Sequence, residues 1–398
     1  MRVPNEPIEP RRFLFYSHDG LGLGEVRRSL AIARELAELN PDISVLLVTG
    51  AEDVESLGVP ARVGILKLPG LQKRERSAAG LPEVSDAEVR VLRERLLAAT
   101  AETFQPEVVL VDGYPFGVDG ELGPALEIAR AFGGQAVLGL SDVIDDPGSV
   151  DIEWHSRGLF ERISAHYARV LVYGQPDVLD PVRDCEFPED VARLTSFCGY
   201  VVSASGELPE PAGAEGPPRV LATAGGGADG FPLLETFIEV ASRAPWTATV
   251  VAGPECPPDR AQELDGRARD AGVTFRHFVP SLMAEFSSLD ALVCMGGYNT
   301  LAEAVACGVP TVCAPRVGPT RDQLVRAEAF ARRRLIRMVP ADRLTAEVLR
   351  TEIDAALLEH AVPARLDVGG ARRAAQHLLE LALQRASRPR SRQRTRVA

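Results

Sequence analysis

Two segments in the C-terminal half of the sequence have the composition of phosphate-binding loops. In the first, residues 222–230, three consecutive glycines, Gly225, Gly226 and Gly227, lie between a predicted strand and a predicted helix. Glycines there permit positive φ angles and let backbone N–H groups approach a phosphate, and the helix N-terminus adds a favourable dipole. The spacing is neither GxGxxG nor GxxxxGKS/T, which disfavours a dinucleotide dehydrogenase and a P-loop ATPase.

The second segment, residues 296–311, has the pattern of a strand end, a glycine turn, a short helix and a turn into another strand. Asn299 or Thr300 can cap this helix and leave free N–H groups beside an anion. Glu303 lies three or four residues into the helix, on the face of its N-terminal opening. A carboxylate there suits a bidentate hydrogen bond to vicinal ribose hydroxyls. The alternative is an exposed helix carboxylate that binds no ligand.

The elements around these loops alternate between short apolar runs and helical patterns, which is typical of parallel sheets with crossover helices. The alternation begins with a strand near residue 13, includes a continuous helix predicted over residues 153–166, and starts again at residue 219. Between the halves, the sequence is rich in Pro, Gly, Ala and Glu and indicates a linker. The predicted division is an N-terminal domain over 1–202, a linker over 203–218, a second Rossmann-like domain over 219–370, a helix over 371–385 and a basic tail over 386–398.

The composition of the chain excludes several other functions. Six cysteines without a CxxC pair indicate buried thiols in a reducing compartment, so we expect a cytoplasmic protein without a zinc site. The net charge is −12, and six arginines of the tail follow Leu383, so the rest of the chain is more acidic still and a poor nucleic-acid binder. The apolar runs are strand-sized, which predicts no transmembrane segment. The tail is expected to be a disordered extension; contact with anionic lipid or a partner is the alternative.

The segment Gly296–Thr311 resembles the donor-binding motif of family 28 glycosyltransferases, typified by the MurG-type enzyme of peptidoglycan synthesis. The resemblance continues through residues 315–323, which match the family's proline followed by an acid/Gln pair. It also includes residues 276–281, which match a loop whose backbone recognises the base, and the loop Gly225–Gly227. In order and spacing the match covers about residues 219–335 and, more loosely, the whole chain.

The resemblance implies a GT-B fold, two Rossmann-like domains that face each other across a cleft. The N-terminal domain would bind the acceptor, the C-terminal domain would bind a nucleoside-diphosphate sugar, and the final helix would pack back on the first domain. Glu303 would hold the ribose, and Asp322 and Gln323 would bind hydroxyls of the transferred sugar; for Asp322 a helix N-cap is the alternative. The other donor-binding candidates are Gly225, Gly226 and Gly227, the base-flanking Phe278 and Val279, and the diphosphate-binding Gly297, Tyr298, Asn299 and Thr300.

A third glycine-rich loop, residues 17–28, follows the first strand and would face the cleft. Related proteins often carry a histidine, a proposed general base, where this chain has Glu25. Glu25 could itself deprotonate an acceptor hydroxyl if burial raises its pKa, or His18 or Asp19 could take this role. An amine or thiolate acceptor is already nucleophilic and would need little help from a general base. The acceptor-binding candidates of this loop are Gly22, Gly24 and Arg28.

Two further loops, residues 110–117 and 140–146, resemble loops of bacterial predicted glycosyltransferases related to MurG. Strand ends would place Asp112 and Asp142 at the cleft. Asp112 is a candidate acid or base, with turn capping as the alternative, while Tyr114 and Asp142 are acceptor-binding candidates. We expect no metal, because glycine loops and helix dipoles would stabilise the departing diphosphate. For Arg27 and Arg28, exposure on a solvated helix face is the alternative to contact with an anionic acceptor.

The resemblance therefore implies an inverting, metal-independent enzyme without a cofactor. It would transfer a sugar from a UDP-, dTDP- or GDP-linked donor to an O, N or S nucleophile of a small-molecule acceptor. The loop around Glu25 favours specialised-metabolite glycosylation over cell-envelope synthesis. The alternatives are a nucleotide-sugar 2-epimerase and a catalytically degenerate GT-B binding protein. The expected partners are the donor and the acceptor, with a homodimer as one option for the assembly.

Overall fold

The computed structural model describes residues 11–17, 23–51, 54–70, 84–145, 147–203, 216–318, 320–359 and 366–386. The predictions for His18, Asp19 and Gly22 lie outside the described residues. So do most of the predicted linker and the tail from residue 387 onward.

The N-terminal half is a parallel sheet covered by helices. Its strands are β1 (Arg11–Ser17), β2 (Ile43–Thr49), β3 (Val63–Lys67), β4 (Val108–Asp112), β5 (Gln135–Ser141), β6 (Tyr167–Tyr173) and β7 (Thr195–Phe197). Its helices are α1 (Gly24–Leu39), α2 (Asp86–Phe104), α3 (Gly123–Ala131), α4 (Pro147–Val150), α5 (Leu159–His166), α6 (Pro181–Asp184) and α7 (Glu189–Leu194). The strand order is β3-β2-β1-β4-β5-β6-β7.

The C-terminal half repeats this architecture. Its strands are β8 (Arg219–Thr223), β9 (Thr247–Val251), β10 (Thr274–Arg276), β11 (Ala291–Cys294), β12 (Thr311–Cys313) and β13 (Arg337–Met338). Its helices are α8 (Phe231–Ala241), α9 (Pro258–Asp270), α10 (Met283–Phe286), α11 (Tyr298–Ala306), α12 (Asp322–Arg332), α13 (Ala346–Leu357) and α14 (Gly370–Ala386). The strand order is β10-β9-β8-β11-β12-β13.

These two parallel sheets confirm the predicted α/β fold class. The central strands are continuous buried apolar runs, as expected where helices cover both faces of a sheet. In each half the strand order reverses next to the first strand, between β1 and β4 and between β8 and β11. Ligands bind outside the carboxyl ends of strands at such reversal points. The glycine-rich loops after β8 and β11 lie there.

The continuous helix predicted over residues 153–166 is wrong. The chain instead forms the short helix α4, a π-helical turn over Asp151–His155, and the separate helix α5. Gly158 precedes α5 with φ +63°, a left-handed conformation that ends a right-handed helix. The apolar spacing continues across this break, so periodicity did not reveal it.

Helix α14 contacts α1 and β4 of the N-terminal half. Arg11 donates to the Ala382 carbonyl at 3.3 Å, and Arg372 pairs with Glu35 at 3.3 Å. Helix α14 is therefore attached to the first sheet. None of the described helices is long and apolar enough to cross a membrane.

A buried polar network holds the loop after β4 in place. Glu121 accepts from the Tyr16 hydroxyl at 2.6 Å and from the guanidinium of Arg93 at 2.7 and 2.8 Å. Arg93 is fully buried, and Glu121 is 3% exposed. Gly117 packs so tightly here that a Cβ would lie 2.9 Å from the Tyr16 hydroxyl oxygen. Such a buried pair is costly to break, because the remaining charge loses its partner.

We expect the substitution Arg93→Met to lower the free energy of unfolding by about 3–5 kcal/mol, since it leaves the Glu121 carboxylate buried without its cation. Urea denaturation of the variant and the wild type measures this loss. Arg193→Met is the matched control: it removes an exposed pair with Glu189 and should cost about 0–1 kcal/mol. Equal losses in the two variants would contradict the structural role of Arg93.

Candidate active site

A cavity, here termed the glycine-lined cavity, lies between the carboxyl ends of the two sheets. It brings together most of the donor-binding candidates with the start of α1 from the other half. From the C-terminal half it is lined by Gly225, Gly226, Gly227, Phe278, Val279, Gly297, Tyr298, Asn299, Thr300, Asp322 and Gln323, and from the N-terminal half by Gly24, Glu25, Arg27, Arg28 and Ser141.

The segment 222–230, here termed the triple-glycine loop, has a conformation that only glycine adopts easily. Gly225 and Gly227 have φ +65° and +94°, in the left-handed region. Gly253, with φ +103°, lies against this loop, and a Cβ at Gly253 would be 2.4 Å from the Gly225 carbonyl oxygen. The shape of the loop therefore depends on a fourth glycine, from the turn after β9.

Helices α8 and α11, which follow the glycine-rich loops after β8 and β11, begin without side-chain caps. The N-caps of α8 and α11 are Gly230 and Gly297, and neither helix has a side-chain capping bond. The prediction that Asn299 or Thr300 caps α11 is wrong, because both residues lie inside the helix. The Asn299 amide instead donates to the Gly24 carbonyl of the other half at 3.3 Å. The first N–H groups of α11 thus remain available to an anion.

The predicted acid/Gln pair lies at the start of α12. Asp322 accepts from the Thr320 hydroxyl at 2.6 Å and pairs with Arg316 at 3.3 Å. It does not cap the helix, whose N-cap is Arg321. Burial opposes ionisation of Asp322, but the nearby cations Arg326 and Arg316 and the Thr320 bond hold its pKa below the usual value. Gln323 Oε1 is buried and has no hydrogen-bond partner among the described residues.

Glu303 is buried, 2% exposed, and does not line the glycine-lined cavity. Its Oε1 accepts from the Ser203 backbone N–H at 3.1 Å. Burial raises the pKa of Glu303, while the charge of Arg27 and bonds from Ser203 oppose this rise. The alternative of an exposed carboxylate is therefore wrong. Its contact with a ribose stays a prediction, and Ser203 would have to move aside for it.

The structure contradicts the roles predicted for Asp112 and Asp142. Asp112 is fully buried and accepts from Arg28 at 2.8 and 3.2 Å. Asp142 is 1% exposed and accepts from Arg326 at 2.8 and 2.9 Å. Neither aspartate lines the glycine-lined cavity, because an arginine distant in sequence occupies each carboxylate. They are partners of buried cations, not an acid, a base or an acceptor contact.

The two arginines both lie close to the ring of Tyr298. The Cζ atoms of Arg28 and Arg326 are 5.0 and 5.6 Å from the centroid of the Tyr298 ring. The Tyr298 hydroxyl accepts from the Val201 N–H at 2.9 Å, which adds a further contact between the halves. Arg28 is buried, and Arg27, half-buried, donates to the Pro280 carbonyl at 2.7 Å. The alternative of a solvated helix face is therefore wrong for both.

A second cavity, here termed the aromatic cavity, has a volume of about 470 Å³ and lies almost entirely in the N-terminal half. Its wall includes the acceptor candidate Tyr114, which is 55% exposed, together with the buried Phe116 and Trp154. It shares the wall residues Glu25, Arg28 and Ser141 with the glycine-lined cavity. The two cavities are therefore neighbours.

Among the described residues, Glu25 is the catalytic candidate that lines both cavities. Burial raises the pKa of its carboxyl group, Arg28 opposes the rise, and Asp112 adds to it. A carboxyl group with a raised pKa can accept a proton from a weak acid and later release it, as a general base must. The position of Glu25 would place its carboxyl group beside a ligand in either cavity.

Sequence reasoning missed two arginines of the glycine-lined cavity. Arg326 is 2% exposed and bonds to Asp142 and to the Gly296 carbonyl, at 3.1 Å for the latter. Arg316 joins Asp229 of the triple-glycine loop, at 3.0 Å, to Asp322. A charged residue four positions after Asp322 on an otherwise apolar helix face was the available signal for Arg326.

No group of acids, histidines or cysteines among the described residues has the arrangement of a metal site.

Comparisons with known proteins agree on one class. The chain is 27% identical over 324 residues to an enzyme of Alkalilimnicola ehrlichii, covering 78% of this chain and 85% of the relative. It is 23% identical over 359 residues to one of Limosilactobacillus fermentum, covering 88% and 90%. Both are named UDP-N-acetylglucosamine--N-acetylmuramyl-(pentapeptide) pyrophosphoryl-undecaprenol N-acetylglucosamine transferase. No family model matches the chain.

Solved structures share the fold of the whole chain. MurG of Acinetobacter baumannii superposes with a TM-score of 0.61 at 16% identity, covering 93% of this chain and 100% of that one. The calicheamicin glycosyltransferase CalG4 has a TM-score of 0.61 at 19% identity, covering 96% and 100%. The fold and the paired loops thus define a GT-B glycosyltransferase, which transfers a sugar from a nucleotide sugar. Among these enzymes, the chain is similar to the MurG-type transferases in sequence and in fold.

We expect Gly253→Ala to weaken nucleoside-diphosphate binding by at least tenfold, because the added Cβ would collide with the triple-glycine loop at a positive φ. Isothermal titration with UDP, dTDP and GDP measures the change. Gly266→Ala is the control: Gly266 lies inside α9 with open space around it, and alanine there should stabilise the helix by up to about 1 kcal/mol. Unchanged affinity in the folded Gly253→Ala variant would show that the loop does not bind the nucleotide.

Proposed function

We propose that the chain transfers a sugar from a UDP-sugar in the glycine-lined cavity to a hydroxyl group of an acceptor in the aromatic cavity, with Glu25 as the general base. The observation that carries this proposal is that Glu25 lines both cavities. A general base must reach the acceptor proton while the acceptor oxygen faces the anomeric carbon. A residue in the wall between the two cavities meets both conditions. UDP is favoured over dTDP and GDP by the names of the two curated relatives.

The reaction follows from this arrangement. Glu25 accepts the proton of the acceptor hydroxyl, and the oxygen attacks the anomeric carbon from the side opposite the diphosphate. The bond between the anomeric carbon and the phosphate oxygen breaks, its electron pair leaves with UDP, and the configuration inverts. Backbone N–H groups of the triple-glycine loop and of the start of α11 are suited to stabilise the charge on the leaving diphosphate without a metal ion or cofactor.

The sugar and ribose contacts are also part of the proposal. Gln323 Oε1, buried without a partner at the cavity wall, suits a hydroxyl donor of the transferred sugar. Glu303 would accept from the ribose hydroxyls once Ser203 moves aside. We also propose a reducing cytoplasm as the location, because all six cysteines are free and buried. Homodimer formation stays a prediction.

The substitution Glu25→Gln should reduce turnover with a hydroxyl acceptor by about 10²-fold or more, because the amide cannot accept the proton. The wild-type profile of kcat/KM against pH should fall on the acidic side through a pKa above the ordinary value of 4.5, since only the ionised carboxylate is a base. This acidic limb should disappear in the variant. Glu38→Gln on the exposed side of the same helix is the control and should keep the wild-type profile. Full activity of Glu25→Gln would exclude Glu25 as the base.

The ribose assignment predicts a change in nucleotide discrimination. Wild type should bind UDP more tightly than 2′-deoxy-UDP, and Glu303→Ala should bind both alike, with UDP weakened about 10- to 100-fold by the loss of charge-assisted hydrogen bonds. Titration calorimetry measures both affinities, with Glu347→Ala on the exposed face of α13 as the control. If Glu303→Ala still discriminates between the two nucleotides, Glu303 does not bind the 2′-hydroxyl.

A further inference from the structure

We propose that the acceptor is a planar aromatic molecule that carries an anionic group, held by Arg157 and Arg162, in addition to the hydroxyl group that is glycosylated. This inference rests on the proposed function, because it assumes that the aromatic cavity binds the acceptor. It adds the chemical class of the acceptor, which the two curated relatives' names do not give for this chain.

The apolar wall of the aromatic cavity is rigid. Trp154 is 7% exposed, and its ring lies 5.4 Å from Phe160 and is stacked with Phe187 at 6.5 Å, measured between centroids. Phe116, 4% exposed, forms another part of the wall, and Tyr114 is exposed at the cavity. Aromatic rings offer large contact area with little loss of conformational entropy and favour flat partners. A volume of about 470 Å³ falls in the range of about 300–1,000 Å³ that is typical of small-molecule sites.

Two guanidinium groups give this wall a positive charge. Arg157 and Arg162 line the cavity on either side of the start of α5 and are exposed. The Cζ of Arg162 lies 3.9 Å from the centroid of the Phe116 ring. Neither arginine forms an ion pair with an acid in the described ranges. A guanidinium that stacks on an aromatic ring keeps its N–H groups free at the edge, where a carboxylate or phosphate binds.

The other acids of the same cavity bind groups other than these two arginines. Asp119 pairs with Arg90 at 2.9 Å, and Asp145 accepts from the Arg321 N–H at 3.2 Å. Glu25 lies on α1, in the wall shared with the glycine-lined cavity. The anionic group of the acceptor is therefore expected near α5, and the reactive hydroxyl near α1. A flat ring system between them matches the aromatic wall.

The test uses two probes that differ only in charge, 6-hydroxy-2-naphthoate and 6-hydroxy-2-naphthamide, titrated into the full chain with UDP present. The naphthoate should bind at least tenfold more tightly than the amide. This advantage should disappear in Arg157→Met/Arg162→Met and persist in Arg183→Met, which removes an exposed arginine paired with Asp184. Tyr114→Ala should weaken both probes equally, because it removes aromatic contact and no charge. Addition of UDP-glucose or UDP-N-acetylglucosamine then shows whether the bound hydroxyl is glycosylated.

Equal affinity for the two probes, or binding of neither, would overturn the proposal. Tight binding of farnesyl diphosphate in place of the naphthoate would also overturn it, in favour of an acceptor with a long apolar chain and a diphosphate. A titration of UDP alone, beside these probe titrations, separates this proposal from the proposed function: UDP binding without naphthoate binding rejects only the aromatic anionic acceptor. Naphthoate binding without UDP binding would reject the sugar-nucleotide assignment of the neighbouring cavity.

Discussion

The site depends on one buried ion pair between the two halves of the molecule, Arg326 with Asp142. Both side chains are almost completely removed from water, and the arginine also donates to the Gly296 carbonyl. A charge in such a place is tolerated only with a fixed partner, so this pair is weak evidence for stability and stronger evidence for a defined geometry. It fixes the carboxyl end of β5 against the loop after β11. The relative position of the two sheets, and with it the width of the cleft, follows from this contact.

Other interdomain contacts surround that pair and orient the catalytic groups. Arg28, held by Asp112, lies near the same Tyr298 ring as Arg326, and the Tyr298 hydroxyl accepts from the Val201 N–H. Because Arg28 is three residues after Glu25 on α1, one helical turn carries both the proposed base and a fixed cation. The buried pairs therefore determine where Glu25 lies relative to both cavities. A loop alone would not position a base with this precision.

Much of this could be predicted from the sequence, and the failures have physical causes. Apolar runs and glycine spacing predicted both sheets, and the strand ends correctly brought Glu25 and the glycine loops to one cleft. The same rule placed Asp112 and Asp142 at the cleft, but their burial depends on arginines 84 and 184 residues away. Such pairing is a property of packing, which spacing along the chain does not contain. The break at Gly158 was missed for a related reason, since a left-handed glycine leaves the apolar period intact.

The glutamate at position 25 changes the charge balance of the reaction compared with the histidine implied by the family resemblance. A neutral histidine would become a cation on accepting the acceptor proton, whereas the proposed base Glu25 would begin as an anion and become neutral. Before reaction, this anion lies near the donor diphosphate and would repel it. Arg28, which lines both cavities, offsets that repulsion, and it remains in place when negative charge moves from the base to the leaving diphosphate. A cation fixed by Asp112 needs no reorganisation during this transfer, which is the condition under which electrostatic stabilisation is most effective. A carboxylate base is thus compatible with a diphosphate leaving group because a buried arginine accompanies it.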